Sequence, residues 1–240
     1  MIRFILVILF LTIYFLCSLI VLPVLALIGH FNPKKKQHMS QAIVKFGFRC
    51  ILFFAGTHVD VEGLENVPKD EAVLFIANHR SFFDVIISYC YIPGTCGIIA
   101  KKEFEKYPLL SNWMRNIHCI FLDRKNIRAG MKSIMEGIEE VKSGTSILIF
   151  PEGTRNKGEG ISEFHAGSFK LATKPKAKVV PMILTNTAEA FENQFPRVKS
   201  VHSKLVFMKP VDTNVLDKEA LNTLPEDLRK NMLQVYETLK

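Results

Sequence analysis

The residues with the clearest potential for chemistry are a histidine and an aspartate, His79 and Asp84. A neutral imidazole, with an unperturbed pKa of about 6.5, accepts a proton from a hydroxyl at neutral pH. A carboxylate on the other ring nitrogen fixes the tautomer and stabilises the imidazolium as it forms. Because the chain contains no G-x-S-x-G nucleophile motif, the pattern indicates a base that activates the substrate's own hydroxyl. The alternative is that Asp84 only caps a helix and His79 is an ordinary turn residue.

The sequence around this pair predicts a strand, a tight turn and a helix. Residues 72–77 are apolar, with β-branched and aromatic members, as in a buried strand. Ser81, followed three residues later by Asp84 and then by the apolar residues 85–91, is typical of a capping box. This places His79 in a short polar turn, with the carboxylate of Asp84 directed back towards it.

A second polar turn follows the predicted strand 146–150. It contains Glu152, Gly153, Thr154 and Arg155. Open α/β sheets bind ligands beyond the carboxyl ends of their inner strands. Glycine permits close approach of the backbone, and the planar guanidinium matches phosphate or carboxylate oxygens. An ordinary turn with a surface ion pair is the alternative.

Further cations follow two other predicted strands. Lys101 and Lys102 come after strand 95–100, and Arg124 follows strand 119–122. If these strand ends share one edge with His79 and Arg155, they form a phosphate-binding cleft around a general base.

The elements alternate between strand and helix from residue 57 onwards, which predicts an α/β fold with a mixed, largely parallel sheet flanked by helices. The clearest helix is 126–142, in which Ile127, Met131, Ile134 and Ile138 form an apolar stripe with Val141. The closing helix is expected to have Pro225 in its first turn. The predicted strands are 57–61, 73–77, 95–100, 119–122, 146–150, 179–184 and 205–208.

Residues 1–56 are predicted to be a membrane anchor, and residues 57–240 a catalytic domain. Residues 4–29 carry no charge, and as a helix they are long enough for the roughly 30 Å hydrocarbon core of a bilayer. Residues 39–55 form an amphipathic pattern suited to the membrane interface. Two arrangements remain open: either 4–29 spans the membrane and 39–55 lies on the cytoplasmic surface, or both form a hairpin in one leaflet.

The composition indicates acidic partners and excludes several kinds of site. The 240-residue chain has a net charge of +8, which favours anionic membranes, nucleic acid or phosphorylated metabolites. The membrane segment and the lack of interleaved surface aromatics argue against nucleic acid. No C-x-x-C pair, metal-like histidine spacing or G-x-x-x-x-G-K-[ST] loop occurs, so no metal site and no ATP chemistry are predicted.

With these motifs in order, the chain resembles the glycerophospholipid acyltransferase superfamily, and within it the bacterial 1-acylglycerol-3-phosphate acyltransferases. The resemblance rests on N-H-x-x-x-x-D at 78–84, on the block from Lys101 to Arg124, on F-P-E-G-T-R at 150–155 and on V-V-P-M at 179–182. His165 stands where the family more usually has a basic residue, in a stretch similar to F-K-x-G-x.

The resemblance implies transfer of an acyl group from a coenzyme A or acyl-carrier-protein thioester to lysophosphatidic acid, without a cofactor. His79 would be the general base and Asp84 its partner. Arg155, Lys101 and Arg124 would hold the acceptor's phosphate in a pocket shaped by the residues of the 152–154 turn. It also favours the hairpin arrangement of the N-terminal helices. The protein is expected in the membrane, with the catalytic domain on the cytoplasmic face. Two alternatives remain, a different acceptor such as glycerol 3-phosphate or another lysolipid, and a non-enzymatic binder of acidic lipids.

Overall fold

The sheet that supports the molecule is mixed but mostly parallel. The computed structural model describes residues 1–239, whose strands are β1 Thr57–Glu62, β2 Leu74–Ala77, β3 Cys96–Lys101, β4 Ile120–Leu122, β5 Ser146–Ile149, β6 Lys178–Leu184, β7 Val201–Phe207 and β8 Val211–Asp212. The order in the sheet is β1-β7-β6-β2-β5-β3-β4, with β8 paired to β6. Strands β7 and β8 pair antiparallel with β6, and the other pairs are parallel. The predicted sheet type is confirmed.

The predicted polar strand ends lie along one edge. Because β2, β5, β3 and β4 run parallel, their carboxyl ends meet at the same side of the sheet, here called the carboxyl edge. The turns that contain His79, Arg155 and Arg124 leave this edge, and β3 ends there at Lys101.

Two helical layers cover the sheet. They are formed by α1 Ile2–Phe31, α2 Pro33–Ala55, α3 Phe82–Tyr91, α4 Pro108–Asn116, α5 Ile127–Lys142, α6 Lys170–Thr173 and α7 Lys218–Thr238. Helices α1 to α4 pack in a core with Phe75 and Ala77 of β2, and α5 to α7 pack in a second core with Leu74 and Ile76 of the same strand. Successive strand residues point to opposite faces, so the two layers lie on opposite sides of the sheet.

Helix α1 is long and apolar enough to cross a membrane, yet one side of it packs on the α/β core. Leu25 is buried, and the Ser18 hydroxyl accepts a hydrogen bond of 2.8 Å from the Trp113 indole. The Asn32 side chain caps α2 by accepting from the backbone N–H of Lys35, and Pro33 starts that helix. Helices α1 and α2 thus pack against each other as a hairpin, while the opposite side of α1 exposes its aliphatic side chains.

Several boundaries differ from the predictions. The closing helix begins at Lys218, capped by Asp217, so the prediction that Pro225 lies in its first turn is wrong. Strand β7 begins at Val201 instead of residue 205. The division into an anchor and a catalytic domain stays a prediction, and its final residue, Lys240, lies outside the described residues.

Candidate active site

The turn after β2 is held in place by the neighbouring strand. The Asn78 side chain donates to the carbonyl of Leu184 at 2.9 Å and accepts from the Leu184 N–H at 2.8 Å. Both hydrogen bonds are buried, which makes the position of the turn costly to change. His79 follows directly, at the carboxyl edge.

His79 and Asp84 form the predicted pair. The His79 Nδ1 lies 3.0 Å from Asp84 Oδ2, which also accepts hydrogen bonds from the N–H groups of Arg80 and Ser81 at 2.5 and 2.6 Å. Asp84 is fully buried. A carboxylate only accepts hydrogen bonds, so this contact assigns the proton to Nδ1 and leaves the lone pair of Nε2 free. The Ser81 hydroxyl accepts from the Phe83 N–H, completing the predicted helix cap.

The imidazole is fixed by its ring face as well as by its edge. It stacks on Phe150 with a centroid separation of 4.3 Å. The side chain of His79 is 17 % exposed, and it borders a cavity. Stacking and the Nδ1 hydrogen bond together restrict rotation of the ring, which leaves Nε2 available to a substrate.

Glu152 supports the turn that carries His79. Its Oε1 accepts from the His79 backbone N–H at 2.6 Å and its Oε2 from the Ser162 N–H at 2.9 Å. Burial raises the pKa of this carboxyl, against the opposing effect of the two N–H donors. Through these hydrogen bonds Glu152, in the turn after β5, is connected to the turn after β2 that contains His79. Its predicted part in binding substrate stays a prediction.

Arg155 is held by a residue that sequence analysis did not identify. Its Nη1 donates to Glu192 Oε1 at 2.9 Å, and its guanidinium lies 4.0 Å from the centroid of the Phe82 ring. Glu192 also accepts from the Ser81 hydroxyl at 2.6 Å and from the Phe82 N–H at 2.8 Å. It lies in a short 3-10 turn with no motif of its own, so no local signal could have identified it.

Gly153 occupies a position that excludes a side chain. Its φ is 75°, and a Cβ there would lie 2.8 Å from Nε2 of His165 and 3.6 Å from an Arg124 nitrogen. The positive φ favours glycine, and a Cβ would also displace the exposed imidazole of His165. His165, singled out by its departure from the family pattern, therefore lies directly beside this turn.

Three of the four predicted cations meet at the same cavity, whereas Lys102 pairs with Asp123 at 3.0 Å and is not among the residues that line it. Lys101, Arg124 and Arg155 all line it together with His79 and Gly153. Thr154 is exposed and is not among the residues that line the cavity. The structure thus brings together the base and three of the predicted phosphate ligands. Within residues 1–239, no group of three or more His, Cys, Asp or Glu side chains could hold a metal ion.

Beyond the cations the cavity is apolar. Its volume is about 410 Å³, within the range of roughly 300–1,000 Å³ usual for small-molecule sites. It extends from the carboxyl edge into the layer of α1 to α4. Its apolar lining includes Leu11, Phe15, Phe48, Val85, Leu110 and Trp113. The first two of these come from α1, so the N-terminal helix forms part of the site.

Comparison with known proteins identifies the family. A family model described as acyltransferase matches residues 58–185. The 1-acyl-sn-glycerol-3-phosphate acyltransferase of Saccharomyces cerevisiae is 30% identical over 239 residues, covering 95% of this chain and 78% of the yeast protein. The enzyme of that name from Borreliella burgdorferi is 30% identical over 203 residues, covering 84% of this chain and 79% of its own length.

A solved structure shares the fold. The crystal structure of the 1-acyl-sn-glycerophosphate (LPA) acyltransferase from Thermotoga maritima superposes with a TM-score of 0.77 at 24% identity, covering 96% of this chain and 95% of that one. The yeast match and the Borreliella match each span most of this chain and most of the relative. The family model spans the segment that contains His79, Asp84 and the 152–155 turn. The chain therefore belongs to the 1-acyl-sn-glycerol-3-phosphate acyltransferase family.

Proposed function

We propose that this protein transfers a fatty acyl group from a thioester to the free hydroxyl of 1-acylglycerol 3-phosphate, giving phosphatidic acid. The observation that carries the proposal is that His79, paired with Asp84, lines a largely apolar cavity together with Lys101, Arg124 and Arg155. An acceptor with a phosphate, a hydroxyl and an acyl chain matches each part of this arrangement. The family names carried by the yeast and Borreliella relatives agree with it.

The reaction begins with proton transfer to His79. Nε2 takes the proton of the acceptor hydroxyl as its oxygen attacks the thioester carbonyl carbon, and Asp84 stabilises the imidazolium. The tetrahedral intermediate then collapses, the C–S bond breaks, and the imidazolium returns the proton to the leaving thiolate. A thioester is already activated, so these steps require no cofactor, ATP or metal from the protein.

The three cations are proposed to hold the acceptor's phosphate. Arg155 offers a planar set of donors, and Arg124 and Lys101 add charge from the ends of neighbouring strands. Glu152 and Gly153 maintain the turn that positions Arg155, the first through hydrogen bonds and the second through its backbone conformation. The apolar cavity is proposed to hold an acyl chain, because its lining offers burial to a hydrocarbon.

The membrane supplies the acceptor. We propose that the exposed apolar side of α1 lies in the bilayer, with the catalytic domain on the cytoplasmic face. In support, Lys34, Lys35 and Lys36 lie in the first turn of α2, just after α1, and cytoplasmic segments near membrane helices are enriched in lysine and arginine. The acyl donor is proposed to be a thioester of coenzyme A or of an acyl carrier protein.

The decisive experiment measures thiol release from an acyl thioester by the detergent-purified protein, with and without lysophosphatidic acid. His79→Ala should lower turnover by about 10²- to 10⁴-fold, as expected for loss of a general base. His202→Ala, which removes an exposed histidine on β7, is the matched control and should retain turnover. Wild-type turnover in His79→Ala would refute the role of the base. Preference for glycerol 3-phosphate in a competition assay would refute the acceptor.

A further inference from the structure

The N-terminal half of α5 exposes apolar side chains that nothing in the described residues covers. Ile127, Met131 and Met135 are 81%, 62% and 56% exposed. The sequence pattern grouped Ile127 and Met131 with the core stripe of this helix, but only its later members are buried, among them Ile138 at 3% exposed. Three large apolar side chains at successive helical turns form a stripe, which in a soluble protein marks a surface for interaction.

Unpaired cations surround this stripe. Arg124, Lys125, Arg128 and Lys132 are exposed, and their side chains form no ion pair or hydrogen bond among residues 1–239. Lys102, by contrast, is paired with Asp123 at 3.0 Å. The carboxylates on the exposed side of α5 are Glu136 and Glu139, and Glu139 is bound to Lys142. We refer to the apolar stripe and its four cations as the α5 face.

The α5 face lies next to the cavity. Helix α5 follows β4, whose carboxyl end is at the carboxyl edge, so its first turns start there. Arg124 belongs to both the α5 face and the lining of the cavity that contains His79. A partner on this face would therefore be within reach of the reaction centre.

The α5 face also lies on the side of the sheet opposite to α1. Helix α5 packs in the core that contains Leu74 and Ile76, whereas α1 and α2 pack in the core on the other face of the sheet. If α1 contacts the bilayer, the outer side of the α5 layer is directed towards the solvent. A soluble partner therefore fits this position better than a second membrane contact.

We propose that the α5 face docks an acidic acyl carrier protein that delivers the thioester; this inference rests on the proposed function and specifies its donor. Four unpaired cations around an apolar stripe are complementary to an acidic protein with an exposed apolar helix. The face is the convex surface of a helix, whereas the phosphates of a small carrier such as coenzyme A bind best in a concave site. The thioester arm of the docked carrier extends past Arg124 towards Nε2 of His79, and docking itself makes no covalent bond.

The test compares two donors with the full-length protein in detergent. We would measure kcat/KM for palmitoyl acyl carrier protein and for palmitoyl-coenzyme A, with lysophosphatidic acid saturating. In the Arg128→Glu/Lys132→Glu variant, kcat/KM for the palmitoyl carrier protein should fall about tenfold or more, because charge reversal abolishes electrostatic attraction. For palmitoyl-coenzyme A, kcat/KM should stay within about twofold of the wild-type value. Met131→Ser should also weaken the carrier reaction selectively, because it removes an apolar contact.

A matched control reverses two exposed lysines at the opposite edge of the sheet, Lys174 and Lys209. This Lys174→Glu/Lys209→Glu variant has the same net charge as the α5 variant, so equal losses in both would attribute the effect to net charge and overturn the proposal. Loss of both donor reactions in the α5 variant would also overturn it. So would reduced binding to vesicles with anionic lipids while the carrier reaction is unchanged, because the face would then be a membrane contact.

Fluorescence anisotropy of labelled carrier protein separates this inference from the proposed function. Carrier binding that weakens in the α5 variant, with no product from either donor even in the wild type, would support docking and refute the proposed function. Product from coenzyme A without any carrier binding would refute docking and support the acyltransferase reaction.

Discussion

The Arg155 guanidinium donates a hydrogen bond of 2.9 Å to Glu192, so a predicted phosphate ligand is already paired with a carboxylate. Glu192 is also anchored by the Ser81 hydroxyl and the Phe82 N–H at the start of α3. This contact joins the two turns at the carboxyl edge and orients Arg155 over the Phe82 ring. It also places a negative charge where the acceptor's phosphate is proposed to bind.

Replacement of this charge should strengthen acceptor binding. In Glu192→Gln the side-chain oxygen still accepts from Arg155 and Phe82, while the competing negative charge is lost. Ion pairs that are partly exposed contribute about 0.2–1 kcal/mol, which corresponds to an acceptor KM lowered by up to about fivefold. Steady-state kinetics with varied lysophosphatidic acid would measure this. Glu189→Gln, an exposed neutralisation just before the same turn, is the control, and an acceptor KM that stays unchanged or rises in Glu192→Gln would contradict the expectation.

The carboxylate of Asp84 should matter far more for turnover than for folding. In Asp84→Asn the amide oxygen still accepts from the N–H groups of Arg80 and Ser81 at the start of α3. The negative charge that stabilises the imidazolium form of His79 is lost, and we expect turnover to fall by about 10²- to 10⁴-fold. Asp217→Asn makes the same change at the N-cap of α7, where Asp217 accepts from Ala220 at 2.8 Å without a histidine. Similar turnover losses in both variants would show that the helix cap, and not the negative charge beside His79, explains the role of Asp84.

The local part of this site was predictable from the sequence. His79 and Asp84 lie five residues apart on one strand, turn and helix, whose apolar runs and capping residues are determined by short-range preferences. The common edge of β2, β5, β3 and β4 followed from the alternation of strands and helices. Both predictions depend on patterns of apolar and polar residues that can be recognised within short segments of the chain.

The long-range part was not predictable. Glu192 contacts Phe82 across 110 positions in the chain, and no periodic pattern indicates such a contact. Likewise, the lining of the cavity by Leu11 and Phe15 depends on how α1 packs across the α/β core. An apolar helix has the same composition whether it faces lipid, core or cavity, so only the tertiary structure distinguishes these surroundings.

Gly153 should be sensitive to alanine for two separable reasons. Gly153→Ala places a side chain at positive φ, which costs about 1–2 kcal/mol of stability, and it forces His165 away from the turn. Gly144 also has a positive φ, of 95°, but a Cβ there would meet nothing within 4 Å. We therefore expect a similar drop in thermal stability for Gly144→Ala and Gly153→Ala, with weakened acceptor binding only in the second.

The addition of His165→Ala to Gly153→Ala tests the steric reason directly. The smaller side chain makes room for the new Cβ, so acceptor KM should recover part of the way towards wild type while the φ strain remains. An acceptor KM that is equally impaired with and without His165→Ala would show that backbone strain alone disturbs the turn.

Glu152 should give the folded protein a measurable pH dependence. Burial raises the pKa of this carboxyl in the folded protein above its ordinary value of 4.5, which applies to the unfolded chain. At a pH between the unfolded and the folded pKa, the folded protein therefore binds a proton that the unfolded chain has lost. The free energy of unfolding therefore falls as pH rises through this window. Glu152→Gln does not titrate, so the difference in unfolding free energy, wild type minus variant, should decline from about pH 4.5 upwards and then become constant. Chemical unfolding at a series of pH values measures this difference, with Glu136→Gln on the exposed side of α5 as control. A difference that rises with pH would mean that the N–H donors of His79 and Ser162 affect the pKa of Glu152 more strongly than burial does.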